Sequence, residues 1–201
     1  MELQKINMEQ CFWLNQPRYF ILQQSKLILA TEPFTNLWNQ TYYHSSDHNA
    51  PILYYQPDQD GTVTVRCDFK YKQQGDQCGV AVYITEDCWF KVCVEYGDNK
   101  SSLLSSVVTM NGYSDWSSMN ISSDIEGMYF RLHRREFDFK IENSFNGKHY
   151  KQMRIFHLDP LGQELKVGLY AASPLDSSFD VTFSEFTFDK CQWKIYQGEK
   201  R

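Results

Sequence analysis

Long apolar runs are absent from this sequence of 201 residues. No segment approaches the roughly 20 apolar residues that a helix needs to cross a bilayer. The N-terminal residues also lack the apolar stretch after a basic start that marks a secretory signal. We therefore predict a cytoplasmic protein without a membrane partner.

An excess of basic residues is absent as well. Lys and Arg total 20 against 25 Asp and Glu, which gives a net charge of −5. Such a surface repels phosphate backbones, so we expect no nucleic-acid partner. Gly and Pro number only 10 and 6. This composition argues against long linkers and favours one domain over residues 1–201.

Neither a disulfide framework nor a metal site is indicated. The six cysteines are irregularly spaced: Cys11, Cys67, Cys78, Cys88, Cys93 and Cys191. A domain of this size does not need disulfides, and no cysteine pair has the spacing of zinc ligands. His44 and His48 lie in a polar stretch typical of a loop. Nucleotide-binding motifs are also absent, so we expect free thiols, no metal and no cofactor.

What the sequence does contain is aromatic side chains and a period of two. Aromatic residues make up 16% of the chain, and they favour strands. Alternating apolar positions indicate half-buried strands. They recur in residues 62–69, 77–84, 89–96, 128–133, 137–142, 165–172 and 179–188. In the last of these segments the alternation shifts at Phe186, which predicts a β-bulge.

Glycine-containing turns separate these segments. They are Asp60-Gly61, Gly97-Asp98, Asn111-Gly112 and Asn146-Gly147, and glycine supplies the backbone conformations that tight turns need. Short strands punctuated by turns are typical of sandwiches and barrels. We predict an all-β fold, a two-sheet antiparallel jelly-roll sandwich. Only residues 1–15 and 33–40 remain as candidates for a short helix.

A family resemblance extends over residues 30–190. It is carried by short motifs in a fixed order: Asn49-Ala50-Pro51, Leu53-Tyr54, Asp76–Val80, Trp89–Val92, Glu95-Tyr96, Ser105–Thr109, Tyr113–Trp116, Arg131-Leu132, Ser144–Gly147, Met153-Arg154 and Val167–Pro174. With these motifs the chain resembles the regulation-of-enolase protein family. The resemblance implies a concanavalin A-like lectin or glucanase fold. One fungal member is linked to the control of an enolase, a role that does not transfer on fold alone.

The strand at 89–95 is the most informative candidate site. Trp89, Lys91 and Glu95 share one face, opposite Phe90 and the other apolar residues, and neighbours on one strand face lie about 6.5–7 Å apart. An indole suits the apolar side of a sugar ring, and charged groups bind its hydroxyls. We therefore expect an open groove. The alternative is a solvated face with a weak Lys91–Glu95 contact.

Further candidates lie on the neighbouring segments. Gln77 is expected on the groove face, beside Asp76, which either binds ligand or caps a turn. The segment after the Asn111-Gly112 turn contains Ser114, Asp115 and Trp116. A binding role and a structural role fit these three residues equally well.

Two arginines are candidates for binding an anionic group. The first interpretation is that Arg131 and Arg154 bind a carboxylate or phosphate. The alternative is a cross-strand ion pair of Arg131 with Asp138.

Three functions remain open. The leading hypothesis is a non-catalytic domain that binds a small polar, carbohydrate-like ligand, for which Trp89→Ala abolishes binding without lowering the melting temperature. The second is a protein-interaction module that regulates a metabolic enzyme. The third is a cryptic glycoside hydrolase, which needs two carboxylates about 5–9.5 Å apart. Its candidate acid/base pair is Glu95 with Asp115 or Asp76.

Overall fold

Alternating apolar side chains and tight turns fold this chain into strands throughout. The structure, a computed structural model, describes residues 4–159 and 162–194. A 3₁₀ turn spans Met8–Gln10. The strands of the described residues are β1 (Gln4–Lys5), β2 (Phe12–Leu14), β3 (Phe20–Gln23), β4 (Lys26–Ala30), β5 (Leu37–Asn39), β6 (Ser46–His48), β7 (Ile52–Tyr55), β8 (Gly61–Phe69), β9 (Gln77–Thr85), β10 (Cys88–Tyr96), β11 (Ser101–Met110), β12 (Tyr113–Ser122), β13 (Gly127–Arg135), β14 (Asp138–Ser144), β15 (Lys151–His157), β16 (Lys166–Ala172) and β17 (Asp180–Asp189).

Two large sheets carry most of these strands. The eight-stranded sheet has the order β15-β14-β13-β8-β17-β4-β3, with β1 also paired to β17. The seven-stranded sheet has the order β12-β11-β10-β9-β16-β7-β2, and β5 and β6 form a separate hairpin. The pairs between these strands are antiparallel. The predicted all-β, two-sheet antiparallel sandwich is therefore confirmed.

The core between the sheets is built from the predicted alternating positions. Val63 and Val65 of the eight-stranded sheet meet Val80, Phe90 and residues like them from the seven-stranded sheet in one buried cluster. Apolar faces of two sheets bury each other in this way because a sheet has no other means of removing a continuous apolar face from water. One predicted core position is wrong, since Phe137 lies exposed in the turn between β13 and β14.

Local turn chemistry also follows the sequence. Asn111 and Gly112 both adopt positive φ, at 53° and 77°, as a two-residue hairpin of this type requires. The expected bulge is present in β17, where the register shifts between Ser184 and Thr187 and Glu185 has a φ of 53°.

The hairpin of β5 and β6, residues 37–48, is called the cover hairpin below. Residues 33–40 form no helix, since β5 runs from Leu37 to Asn39. The hairpin buries Leu37 and Trp38 against Trp89, Tyr170 and neighbouring side chains on the outer face of the seven-stranded sheet. This second cluster lies outside the main core, and it decides which part of that face stays open.

Two expectations about the chain concern its environment. No helix in the described residues is long and apolar enough to cross a membrane. The six cysteines are free thiols in the structure, as their irregular spacing predicts.

Candidate functional site

A pocket of about 370 Å³ opens on the outer face of the seven-stranded sheet. Its floor comes from four adjacent strands: Gln77 of β9, Lys91, Cys93 and Glu95 of β10, Ser105 and Val107 of β11, and Trp116 of β12. Its walls come from the cover hairpin and the flanking loops: Asn36, Trp38, Tyr43, Ser45, Gln74, Gly75, Pro174 and Leu175. The volume is at the lower end of the range for small-molecule sites, about 300–1,000 Å³.

Lys91 provides a buried cation in the floor. Its Nζ donates to Gln77 Oε1 at 3.0 Å, to Tyr170 Oη at 3.2 Å and to Asn36 Oδ1 at 3.4 Å. No carboxylate of the described residues lies within 4.0 Å of Nζ, so neutral oxygens take all of its donors. Burial lowers the pKa of Lys91, because removing an ammonium from water disfavours its charged form.

Glu95 and Ser105 are the polar floor groups with free bonding capacity. Glu95 is half-buried on the strand face of Lys91, and burial raises its pKa while Lys91 partly opposes that rise. The buried Oγ of Ser105 has no hydrogen-bond partner among the described residues. An unsatisfied buried hydroxyl costs about 1–3 kcal/mol, and water or a ligand hydroxyl in the pocket would supply its partner.

Aromatic side chains form the rim. Trp38 meets Trp116 edge to face, with ring centroids 6.4 Å apart, and meets Tyr43 at 5.4 Å. Trp116 is 42% exposed and Tyr43 59%. The pocket therefore combines a polar floor with exposed ring faces at its mouth.

The loop of the cover hairpin carries unusual backbone conformations. Gln40, Tyr42 and His44 all have positive φ, between 49° and 65°. Each such non-glycine residue costs about 1–2 kcal/mol, and strain of this kind concentrates at binding sites. The hairpin is fixed by Asn39, whose Nδ2 donates to Glu86 O and whose backbone N–H donates to Ser114 Oγ.

The structure brings four of the predicted site residues together. Gln77, Lys91, Glu95 and Trp116 all line the pocket, because β9, β10, β11 and β12 are consecutive in the sheet and the register aligns their outward positions.

Trp89 shares their strand face but not their exposure. Its indole is fully buried, and its Nε1 donates to Glu86 O at 3.1 Å and Asn39 Oδ1 at 3.3 Å. The expectation of an open groove at Trp89 is therefore wrong, because the cover hairpin closes that end of the strand face.

The remaining residues of the predicted 114–116 group separate by alternation. Ser114 is buried and bonds Thr109 as well as Asn39, so it anchors the hairpin and does not face the pocket. Asp115 pairs with Val108, on the opposite face of the sheet from Trp116. There Asp115 accepts a hydrogen bond from Arg154 Nη2 at 2.8 Å, which places both charges away from the pocket.

Arg131 lies on the other sheet. Its strand, β13, pairs with β8 and β14 of the eight-stranded sheet. The guanidinium stacks over Tyr150 at 3.5 Å, instead of pairing with Asp138, which bonds His157. Arg131 and Arg154 are therefore not part of this site.

The carboxylates expected for a hydrolase do not assemble as a pair. Asp76 is fully buried, and its oxygens accept hydrogen bonds from Ser173 and Ser177 and from the amides of Lys72 and Gln73. Of the two roles considered for Asp76, the structure thus shows the capping of a turn. Among the described residues, Glu95 is the one carboxylate that lines the pocket. The chain also offers no group of three or more metal-ligating side chains in the described ranges.

Sequence reasoning missed several lining residues. Ser105 could have been found, since it alternates with core residues of its own strand, as Lys91 does. Trp38 and Tyr43 carried no such signal, because a hairpin that folds back over a distant strand leaves no periodic pattern. Contacts at a sequence separation of about 50 residues are tertiary information.

Comparison with known proteins places the chain in a family. It matches the family described as "Protein of unknown function (DUF1349)" over residues 13–191. The chain belongs to this family. A curated relative of this DUF1349 chain, "Regulation of enolase protein 1" of Saccharomyces cerevisiae, is 28% identical over 187 residues, which is 93% of each chain. The resemblance found from the motifs is thus confirmed.

Solved structures support the same fold. A functionally unknown protein from Saccharomyces cerevisiae matches the DUF1349 chain with a TM-score of 0.85 and 27% identity, over 93% of this chain and 100% of that one. The GH43 protein BlXynB from Bacillus licheniformis matches with a TM-score of 0.62 and 15% identity, over 82% of this chain and 32% of that chain. At that identity the likeness shows a shared sandwich fold alone.

Proposed function

We propose that the pocket binds a small polar, carbohydrate-like ligand without catalysis. The observation that carries the proposal is the union of exposed aromatic rings at the mouth with unpartnered polar groups on the floor, Glu95 and Ser105. Indole faces pack on the apolar side of a sugar ring, and convergent polar groups fix its hydroxyls.

The floor favours binding over hydrolysis. Glycoside hydrolysis commonly uses two carboxylates, whereas Glu95 is the single carboxylate that the described residues contribute to the pocket. The buried floor is held by fixed hydrogen bonds around Lys91, so a ligand meets a site that is already formed. Pre-formed sites lose less entropy on binding.

A glycan array followed by calorimetry tests this function. Trp116→Ala removes a ring from the pocket rim, and we expect it to weaken binding by at least about tenfold, since burial of a large apolar side chain contributes about 1.5–3 kcal/mol. Tyr113→Ala is the matched control, because Tyr113 is an exposed aromatic on the same strand but faces away from Trp116. It should leave affinity within about twofold. Absence of glycan binding, or equal losses in both variants, would reject the proposal.

A second candidate is a protein-interaction module that regulates a metabolic enzyme. The name of the yeast relative favours it. The exposed Tyr42 and Tyr43 of the cover hairpin favour it as well, because aromatic residues are enriched at interfaces. Size-exclusion chromatography with purified enolase distinguishes the two functions. Co-elution that Tyr42→Ala or Tyr43→Ala prevents, together with a negative glycan array, would support this candidate.

A further inference from the structure

Glu95 has free bonding capacity on the pocket floor. None of the described residues donates a hydrogen bond to its carboxylate or forms an ion pair with it, although the side chain is half-buried and lines the pocket. A half-buried carboxylate without protein donors leaves both of its oxygens free to accept hydrogen bonds from a ligand.

Ser105 lies next to Glu95 on the neighbouring strand. The register pairs Cys93 with Ser105 and Glu95 with Leu103, so Glu95 and Ser105 are diagonal neighbours, at a Cα separation of about 7–8 Å. The Ser105 hydroxyl is buried without a partner. The Glu95 carboxylate and the Ser105 hydroxyl are therefore adjacent groups of the floor that can both form hydrogen bonds to a ligand.

Lys91 does not donate a hydrogen bond to Glu95. Its three N–H donors point to Gln77, Tyr170 and Asn36, so the ammonium has no donor left for Glu95 or for an entering anion. The lining residues carry one cation and one anion, Lys91 and Glu95, and Asp47 of the cover hairpin adds a further negative charge that acts on Lys91. The electrostatic potential at a ligand bound to Glu95 is therefore neutral to negative.

We propose that Glu95 is the specificity-determining residue of the pocket. Its two carboxylate oxygens accept hydrogen bonds from neighbouring hydroxyls of an uncharged polyol or sugar, and its charge excludes anionic ligands such as uronates and sugar phosphates. The inference rests on the proposed function and extends it from ligand class to ligand charge. Hydrogen bonds to an ionised acceptor are about twice as strong as neutral ones, while a second carboxylate at the same place is repelled.

Matched pairs of neutral sugars and their uronic acids are the probes that test this inference. They are titrated by calorimetry at about pH 8, well above the ordinary glutamate pKa of about 4.3, because burial raises the pKa of Glu95. The wild-type protein should prefer the neutral member of each pair by at least about tenfold. Glu95→Gln keeps the shape but removes the charge, so it should weaken neutral binding about tenfold and strengthen uronate binding.

Two further variants separate charge from structure. Ser105→Ala should weaken binding of both members of a pair without altering the preference. Glu126 lies between β12 and β13 and does not line the pocket, so Glu126→Gln should change neither. Thermal melts check that each variant is folded. Equal affinity of the wild type for neutral and anionic sugars, or an unchanged preference in Glu95→Gln, overturns the inference while sugar binding itself stands. Failure of the wild type to bind any member of the panel overturns the proposed function together with it.

Discussion

Trp89 and Trp116 lie on the same face of one sheet but differ in what covers them. Trp89 is enclosed by the cover hairpin, and its N–H is satisfied by Glu86 and Asn39. Trp116 sits on the edge strand β12 and keeps 42% of its surface exposed. One indole therefore stabilises the fold, and the other is available to a ligand.

Trp89→Ala is expected to lower the free energy of unfolding by about 3–5 kcal/mol, because it leaves a large cavity under the hairpin. Trp116→Ala should lower it by about 1 kcal/mol through the lost ring contact with Trp38. Urea denaturation of both variants measures the difference. If Trp89→Ala were as stable as the wild type, the enclosed position of this indole would be wrong.

Asp76 shows how a buried carboxylate can serve the fold alone. Asp76→Ala leaves two backbone amides and the hydroxyls of Ser173 and Ser177 without their acceptor, so we expect a loss of about 3 kcal/mol or more. Asp115→Ala is the control, because the Asp115 side chain of the Asp115–Arg154 ion pair is exposed to solvent. Exposed ion pairs contribute about 0–1 kcal/mol. Equal stability of the two variants by chemical denaturation would contradict this assignment.

Among the elements, the cover hairpin connects the fold to the site. It buries its apolar side on the seven-stranded sheet and turns Trp38 and Tyr43 toward the pocket. Its connection to the sheet depends on the buried Asn39, which bonds Glu86, Trp89 and Ser114. A short hairpin is marginal alone, so its order depends on these contacts.

Asn39→Ala is therefore expected to loosen the hairpin before the sandwich. Amides held within this region, such as Gln40 and Ala50, should exchange about 10- to 30-fold faster, which corresponds to about 1.4–2 kcal/mol of local opening. Amides of β9 and β10 should keep their protection. Hydrogen exchange measured by mass spectrometry makes the comparison, with Asn120→Ala on the exposed part of β12 as the control. Uniform acceleration across the chain would show that the hairpin and the sandwich open as one unit.

At the scale of the whole molecule, the alternation of apolar side chains predicts which face of a strand points into the core. It does not predict which of the two sheets the strand joins. Val92 and Phe130 both occupy inward positions of the alternation, and both are buried between the sheets. Lys91 and Arg131 both occupy outward positions, but a sandwich has two outer faces, and they lie on different ones. The layer depends on which strands pair across the chain, and β13 pairs with β8 about 65 positions earlier, a distance that local patterns do not encode.

Because local patterns do not encode strand pairing over long distances, only part of the candidate site could be predicted. Gln77, Lys91 and Glu95 lie together in the pocket, because adjacent strands with tight turns usually pair. Arg154 lies apart from them, because its strand joins the other sheet. Exposure of Trp89 could not be predicted, since it depends on a hairpin that begins about 50 residues earlier in the chain.

The outer face of the eight-stranded sheet holds a buried histidine that links several segments. His133 Nδ1 is hydrogen-bonded to Thr62 Oγ1 at 2.9 Å, and Nε2 donates to the Glu142 carboxylate at 2.9 Å. Thr62 Oγ1 in turn accepts from the amide of Gln192, at 2.8 Å. The chain of bonds ties β8, β13 and β14 to the segment after β17. In the neutral ring Nδ1 accepts from the Thr62 hydroxyl, which in turn accepts from the Gln192 amide.

This arrangement makes stability depend on pH with a definite sign. Burial lowers the pKa of His133, and the positive charges of Lys140 and Arg131 act in the same direction, while Glu142 opposes them. The unfolded chain therefore takes up a proton near the ordinary histidine pKa of about 6.5, whereas the folded protein does not. Below about pH 6.5 the free energy of unfolding falls as pH decreases, by up to about 1.4 kcal/mol per pH unit, until the lowered folded pKa is reached.

His133→Gln isolates this contribution, because an amide can still accept from Thr62 and donate to Glu142 but does not titrate. Denaturation measured between about pH 5 and 6.5 should show a shallower decline for His133→Gln than for the wild type. Glu95, whose pKa is raised by burial, contributes with the opposite sign but equally in both proteins, so it cancels in the difference. Glu142 titrates at lower pH, since hydrogen bonds from His133 and Lys140 outweigh its burial and lower its pKa. Parallel curves for the two proteins would mean that the pKa of His133 is the same in the folded and the unfolded chain, which would contradict the lowered pKa.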